Sequence, residues 1–387
     1  MPIPANRRPG APRGRPSGRG LWLTALLWLG AVTLVAVRLF GQDLDDGELQ
    51  ATPLPPACSG LTVGVHSTLA YEDGSERRGE VVDAIDEQLR PQVVRDALLW
   101  SEVEPEEGER DWSSPDGVVE DLRAAEIEPL FVVLGSPPWA TGVSESASEE
   151  YLHVPPKGAA FDEWLDRYSV FLAEAVERYK GVVRRWEIWN EPNLAYFWRP
   201  RPDPVGYRRL YETLRRTILR VDPNAEVSTG GLASLILAAD GDVPGLAFLR
   251  RFARTEPPLD AVAVHLYTTD DHPPDVHIPG EKNFDDVERV HRFLKGLGEP
   301  APVWVTEFGW SSAAVGDDRQ AQYVDEALSM IEDRYPFVRL ATYFADHDRP
   351  PEFFQGLLGE DLDPKPGASA FREHSDLAAT RCARRGS

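Results

Sequence analysis

Three observations predict an α/β fold of the (β/α)8 barrel type. Eight short apolar runs rich in β-branched residues recur along the chain, amphipathic stretches lie between them, and no glycine-rich phosphate turn follows the first run. In order the runs are LTVGVHS (61–67), QVVRDALLW (92–100), EPLFVVLG (128–135), VVRRWEIW (182–189), EVSTGGL (226–232), AVAVHLY (261–267), VWVTEFGW (303–310) and LATYFADHD (340–348). A doubly wound open sheet is the competing architecture, but LTVGVHSTLA lacks the G-x-G-x-x-G that would follow its first strand. Helical patterns between the runs include DGVVEDLRAAEI, FDEWLDRYSVFLAEAVERY, PVGYRRLYETLRRTILRV, GLAFLRRFART, FDDVERVHRFLKGL and DRQAQYVDEALSMIEDRY. In the second of these, Phe161, Trp164, Leu165, Tyr168, Leu172, Ala175 and Val176 share one face, as a helix lying on a sheet requires. Long irregular segments follow the third run (SPPWATGVSESASEEYLHVPPKGA) and the sixth (TTDDHPPDVHIPGEKN). In a barrel, loops after strands lie on the catalytic face, so these should wall a cleft.

The N-terminal part reads differently. Residues 1–20 hold five arginines and no acid among many prolines and glycines, the composition of a disordered cytoplasmic tail. Residues 21–40 (LWLTALLWLGAVTLVAVRLF) hold Arg38 as their only charge, and the uninterrupted apolar part, Leu21 to Val37, reaches the short end of a membrane-spanning helix. The arginines before it predict a cytoplasmic N-terminus and an exported remainder, with the lipid bilayer as partner through 21–40. A cleaved signal peptide is the alternative. Against it, Val37, Arg38, Leu39 and Phe40 occupy the positions where a small-x-small cleavage site should fall. Residues 41–57 (GQDLDDGELQATPLPPA) are an acidic, proline-rich linker, and 58–382 form the barrel domain. The chain has two cysteines, Cys58 and Cys382, at the two ends of that domain. A closed barrel brings its ends together and export meets an oxidising medium, so a disulfide is expected there, with two free thiols as the alternative.

The 387 residues carry a net charge of −23. The six arginines before residue 43 mask a more acidic remainder of 35 basic against 64 acidic residues, or −29. Such a surface argues against nucleic acid as a partner and suits a neutral or cationic ligand.

The chemistry concentrates in WEIWNEPN (186–193), where a carboxylate, Glu191, ends a buried strand, and in VWVTEFGW, where Glu307 ends another. Two carboxylates at one barrel mouth are what retaining glycoside hydrolysis requires. At this point the sequence resembles the clan A glycoside hydrolases, most closely glycoside hydrolase family 39 and its bacterial relatives, with family 5 next. The likeness rests on VVRDALLWSEVEPEEGERDWS, LGSPPWA, the long run from WEIWNEPN to VSTGG, HLY and TEFGW, and covers most of residues 61–310. It implies that Glu191 is the general acid/base, Glu307 the nucleophile and Asn190 the partner of a sugar 2-hydroxyl. It further implies that His265 and Tyr267 flank the site, with Tyr267 contacting the nucleophile, and that Arg95 holds Glu307 ionised. Trp139 and Trp310, with Trp198 behind them, are candidates for stacking on a sugar ring. The family's tryptophan at the end of the eighth strand is replaced here by Tyr343 and Phe344.

The expected ligand is an oligo- or polysaccharide, with no cofactor and no metal. Two rivals stay open: a non-catalytic polysaccharide-binding protein on the same barrel, and a metal-dependent hydrolase. The second would be built on Asp270, Asp271, His272, Asp275 and His277, or on Asp346, His347 and Asp348, although no tight ligand spacing is present.

Overall fold

A computed structural model describes residues 60–385 apart from 73, 145–149, 254–258 and 299–300. The basic tail, the apolar segment 21–40, the linker and Cys58 lie outside the described residues. Among the described residues there are eight strands: β1 (Thr62–His66), β2 (Val93–Leu99), β3 (Glu128–Leu134), β4 (Arg185–Ile188), β5 (Glu226–Thr229), β6 (Val262–His265), β7 (Val303–Phe308) and β8 (Val338–Phe344). All pair in parallel, in the order β5-β4-β3-β2-β1-β8-β7-β6. The circle closes between β5 and β6 through single bridges, Ser228 to Ala261 and Leu232 to Val264. This is the (β/α)8 barrel that the alternation of strand and helix patterns predicts.

Each apolar run supplies its strand, and the differences lie at the ends. Val182 and Val183 stay out of β4 because their N–H groups close the turn on the Tyr179 carbonyl. β8 begins upstream of its run, at Val338, where buried Val338 and Leu340 alternate with exposed Arg339.

Strands buried on both faces leave few polar side chains inside the barrel. Among those present, Thr342 Oγ1 donates to the Thr306 carbonyl at 2.6 Å, and Thr306 Oγ1 to Glu187 at 3.3 Å.

Outside the barrel run helices Gly74–Ala84, Ser113–Ala124, Ala159–Tyr179, Pro204–Val221, Gly245–Phe252, Val287–Gly296, Asp317–Arg334 and Pro366–Arg385. Every residue assigned to the inner face of Ala159–Tyr179 is buried. Pro204–Val221 starts on proline, with the Asp203 carboxylate accepting from the Val205 N–H at 3.2 Å. The last helix packs on Asp317–Arg334, where the His374 ring bonds Glu332 and Asp325, both at 3.0 Å. Cys382, in that helix, is disulfide-bonded. Among the described residues no helix is long and apolar enough to cross a membrane.

Candidate active site

Arg95 from β2 and the C-terminal ends of β4, β6 and β7 converge on one group of side chains. β4 runs into a turn in which Trp189 and Glu191 take positive φ angles of 72° and 43°, conformations that L-residues adopt only where their surroundings hold them. Here the surroundings do so: the Trp189 N–H donates to Val133 O, and the Glu191 N–H to Gly231 O at 3.1 Å. Asn193 completes the clamp, its amide bonding the Ala233 backbone in both directions and the Val243 carbonyl. The second asparagine of WNEPN is therefore a structural clip. β6 carries a register irregularity at Val264/His265 that sets His265 beside Glu307, a bulge of the kind that re-aims a side chain.

His265 Nδ1 lies 2.7 Å from Glu191 Oε1 and 3.4 Å from Glu307 Oε2. A nitrogen between two carboxylate oxygens carries the proton, so Nδ1 is the donor. Tyr267 Oη donates to Glu307 Oε2 at 3.0 Å. Arg95, fully buried on β2, spends all five of its N–H groups. Nε and Nη2 fork onto Glu187 at 3.0 and 3.1 Å, Nη1 serves Glu307 and His66 Nδ1 at 2.8 Å each, and Nη2 also serves Asn190 Oδ1 at 2.9 Å. A ligand oxygen of Glu191, one of Glu307 and a ring nitrogen of His265 all lie within 4.8 Å of one another.

The two carboxyls are pushed apart electrostatically. Burial pushes Glu191 up, and the Glu307 charge adds to it, against the opposing pull of His265 and Arg95. Burial would raise Glu307 as well, but His265, Arg95, His66 and the Tyr267 hydroxyl outweigh it and hold Glu307 at about 2. Burial opposes the charged form of His265, yet the facing carboxylates win and raise it. His66 is driven down to about 3 by burial and by Arg95, so it is neutral, accepting on Nδ1 and left with Nε2–H as a donor.

Residues 111–335 match the family described as Glycosyl hydrolases family 39. The chain belongs to that family. It is 27% identical over 282 residues to a beta-xylosidase of Geobacillus stearothermophilus, covering 66% of this chain and 54% of that protein. It is 30% identical over 167 residues to a beta-xylosidase of Caldicellulosiruptor saccharolyticus, covering 40% of this chain and 31% of that one. The chain thus spans about half, or less, of the curated relatives it matches. Among solved structures, a family 39 glycoside hydrolase from the gut symbiont Bacteroides cellulosilyticus WH2 superposes with a TM-score of 0.63 at 23% identity, covering 82% of this chain and 64% of that one. At that identity the likeness concerns the fold.

Within this family 39 barrel, Glu191, Glu307, Asn190, Arg95, His265 and Tyr267 lie in one hydrogen-bonded group. The tryptophans do not. Trp310 is fully buried, packed against Phe284, Phe308 and Tyr323, with Nε1 donating to Thr268 Oγ1 and His272 O. It has no face to offer a sugar. Trp198 is core as well, edge-on to Trp189 and Tyr207. Trp139 is half-buried, with its N–H on the Glu104 carbonyl, its ring edge-on to Trp100 and the Arg167 guanidinium over its face. It has no hydrogen bond or ring contact with the catalytic group.

At the end of β8, buried Tyr343 turns toward Phe308 and accepts from the Trp310 N–H. Half-buried Phe344 stacks on His66 with centroids 5.0 Å apart and lies 6.3 Å from Tyr267. Phe344 is thus the aromatic of this strand end that lies beside the catalytic group. The Asp/His loop after β6 is not assembled as a ligand set: both His272 ring nitrogens bond backbone carbonyls, and His277 bonds Asp285. Sequence reading missed Glu187, His66 and Gly231. The first had a visible signal, a charged residue in the middle of a buried strand, which demands a partner.

Proposed function

We propose that this barrel is a retaining glycoside hydrolase acting on β-linked glycosides, with β-xylosides the first substrates to try because the curated relatives bear that name. The observation that carries the reading is a pair of carboxyls whose oxygens approach within 4.8 Å, one raised and the other held at about 2. Oxygens this close fit the carboxyl separation of about 5–5.5 Å used for direct attack; inverting enzymes need about 6.5–9.5 Å to seat a water.

Glu307, ionised, attacks the anomeric carbon while Glu191, protonated, donates to the departing oxygen; a glycosyl ester forms on Glu307. Glu191, now ionised, then takes a proton from the water that releases the sugar. Arg95 occupies Asn190 Oδ1, which leaves the amide NH2 to donate to a substrate hydroxyl. Because Arg95 has no N–H to spare, its work is to hold other groups; the substrate receives none of its hydrogen bonds. The sequence pattern of residues 21–40 supports anchoring in a membrane with the barrel outside the cytoplasm, where a cell-surface polysaccharide would be the substrate.

The test uses purified full-length protein on aryl β-xylosides with good and poor leaving groups, beside Glu191→Gln and Glu307→Gln. A good leaving group departs without a proton, so glycosylation survives in the first variant and fails in the second. The first-formed sugar anomer, read by NMR, should be β. Wild-type protein that binds xylan and leaves both aryl xylosides and polymer intact would replace this reading with a binding function.

A further inference from the structure

Glu187 is the third carboxylate of the site, buried to 0% exposure in the middle of β4, four residues before Glu191. We infer that Glu187 is a positioning residue for the reaction, locking the Arg95 guanidinium so that one cation aims Glu307 and Asn190 together and tethers the backbone of Glu191. The inference rests on the retaining reading above.

The geometry is specific. Glu307 and Asn190 each take a single Arg95 bond, which alone would let the guanidinium rock about its long axis. Glu187 grips it with both oxygens, Nε to Oε2 and Nη2 to Oε1, the fork that fixes a guanidinium plane. The same Oε1 takes the Gly231 N–H at 2.8 Å, and the Gly231 carbonyl takes the Glu191 N–H. A continuous chain of hydrogen bonds therefore joins the nucleophile's partner, Arg95, to the acid/base turn. Stability is a poor reason to keep such a group: a buried ion pair seldom beats an apolar pair of the same volume, and Glu187's neighbours on β4, Trp186 and Ile188, are buried and large. Charge adds a second consequence. Arg95 lowers Glu191, and Glu187 offsets part of that cation, which helps keep the acid protonated.

Two readouts separate positioning from mere support. Glu187→Gln in the full-length protein makes the site one charge more positive, so the basic limb of the kcat/KM–pH profile moves to lower pH. It also places an amide NH2 against an Arg95 N–H, loosening the guanidinium that orients Asn190. Wild type should lose far more rate than the variant when the aryl glycoside is replaced by its 2-deoxy counterpart. Glu187→Asp keeps the charge and withdraws the carboxylate by one methylene. It should leave the basic limb in place and still narrow the 2-deoxy discrimination, and it decides the matter if Glu187→Gln does not fold. A folded Glu187→Asp or Glu187→Gln variant with undiminished 2-deoxy discrimination overturns the proposal, because a counter-ion that only balanced charge would leave Asn190 aimed whether or not the basic limb moved. Glu307→Gln, run alongside, reports on the retaining mechanism alone: full activity there would sink the mechanism whatever Glu187 does.

Discussion

Gly231→Ala tests whether His265 governs both carboxyls. A Cβ at this position falls 2.0 Å from His265 Nε2 and 2.4 Å from Cδ2, where ordinary contact begins near 3.4 Å. Gly231 cannot retreat, since its N–H is held by Glu187 and its carbonyl by the Glu191 N–H. The imidazole must give way by about 1.4 Å to restore van der Waals contact. It cannot slide toward Glu191, already 2.7 Å from Nδ1, so it swings aside and that bond is lost. A hydrogen bond to a charged group contributes about 1.5–3 kcal/mol, so kcat/KM should fall by about 10- to 150-fold. Crowding costs about 1–3 kcal/mol of stability besides, measurable by urea unfolding.

The pH profile carries the more specific signature. His265 lowers both Glu191 and Glu307, so its displacement raises both. Activity needs Glu307 ionised, and raising it moves the acid limb to higher pH. Activity also needs Glu191 protonated, and raising it moves the basic limb to higher pH as well. The whole bell should shift alkaline on any aryl glycoside the wild type hydrolyses. A rate loss with both limbs fixed would refute the assignment of His265 as their shared regulator.

Two further outcomes follow from the geometry. Trp310→Ala should cost about 3–5 kcal/mol of stability by emptying the space among Phe284, Phe308 and Tyr323, with KM unchanged; a raised KM at intact stability would restore the sugar-stacking role. His374→Asn should cost about 1–2 kcal/mol in acid solution, a figure kept low because Asp325 is largely exposed. Burial lowers His374, but Glu332 and Asp325 more than compensate and raise it. Its contribution is therefore fully present below the ordinary histidine value of about 6.5 and fades as pH rises through the raised one. A penalty equal at acid and alkaline pH, read by urea unfolding, would remove the charged staple.

The strands were legible because a parallel barrel buries both faces, so each strand appears in the sequence as a continuous β-branched run. The catalytic pair was legible because carboxylates seldom end such runs. Side-chain facing was harder to read. β7 carries a register irregularity between Val305 and Phe308, so Thr306 and Glu307, adjacent in sequence, both turn to the barrel interior and mouth, and simple alternation does not sort the residues after them. Phe308 and Trp310 share one apolar cluster with Phe284, a packing the sequence did not display. Gly231 gave no signal either, since its importance lies in what a Cβ would strike across the barrel.

The closure between β5 and β6 has a dynamic consequence. That joint is stitched by isolated bridges and by bonds such as Leu232 N–H to Ala263 O and Ala263 N–H to the Thr229 hydroxyl, where the neighbouring β4–β5 and β6–β7 pairs form ladders of four residue pairs each. The Glu191 backbone hangs from the β5 side, through Gly231, while His265 stands on the β6 side. Local opening of a barrel begins where its hydrogen bonding is thinnest. Loosening that seam would pull the proton donor away from the imidazole that restrains it while leaving the nucleophile's own cradle intact. The joint in the barrel wall is thus also the boundary between the two halves of the chemistry.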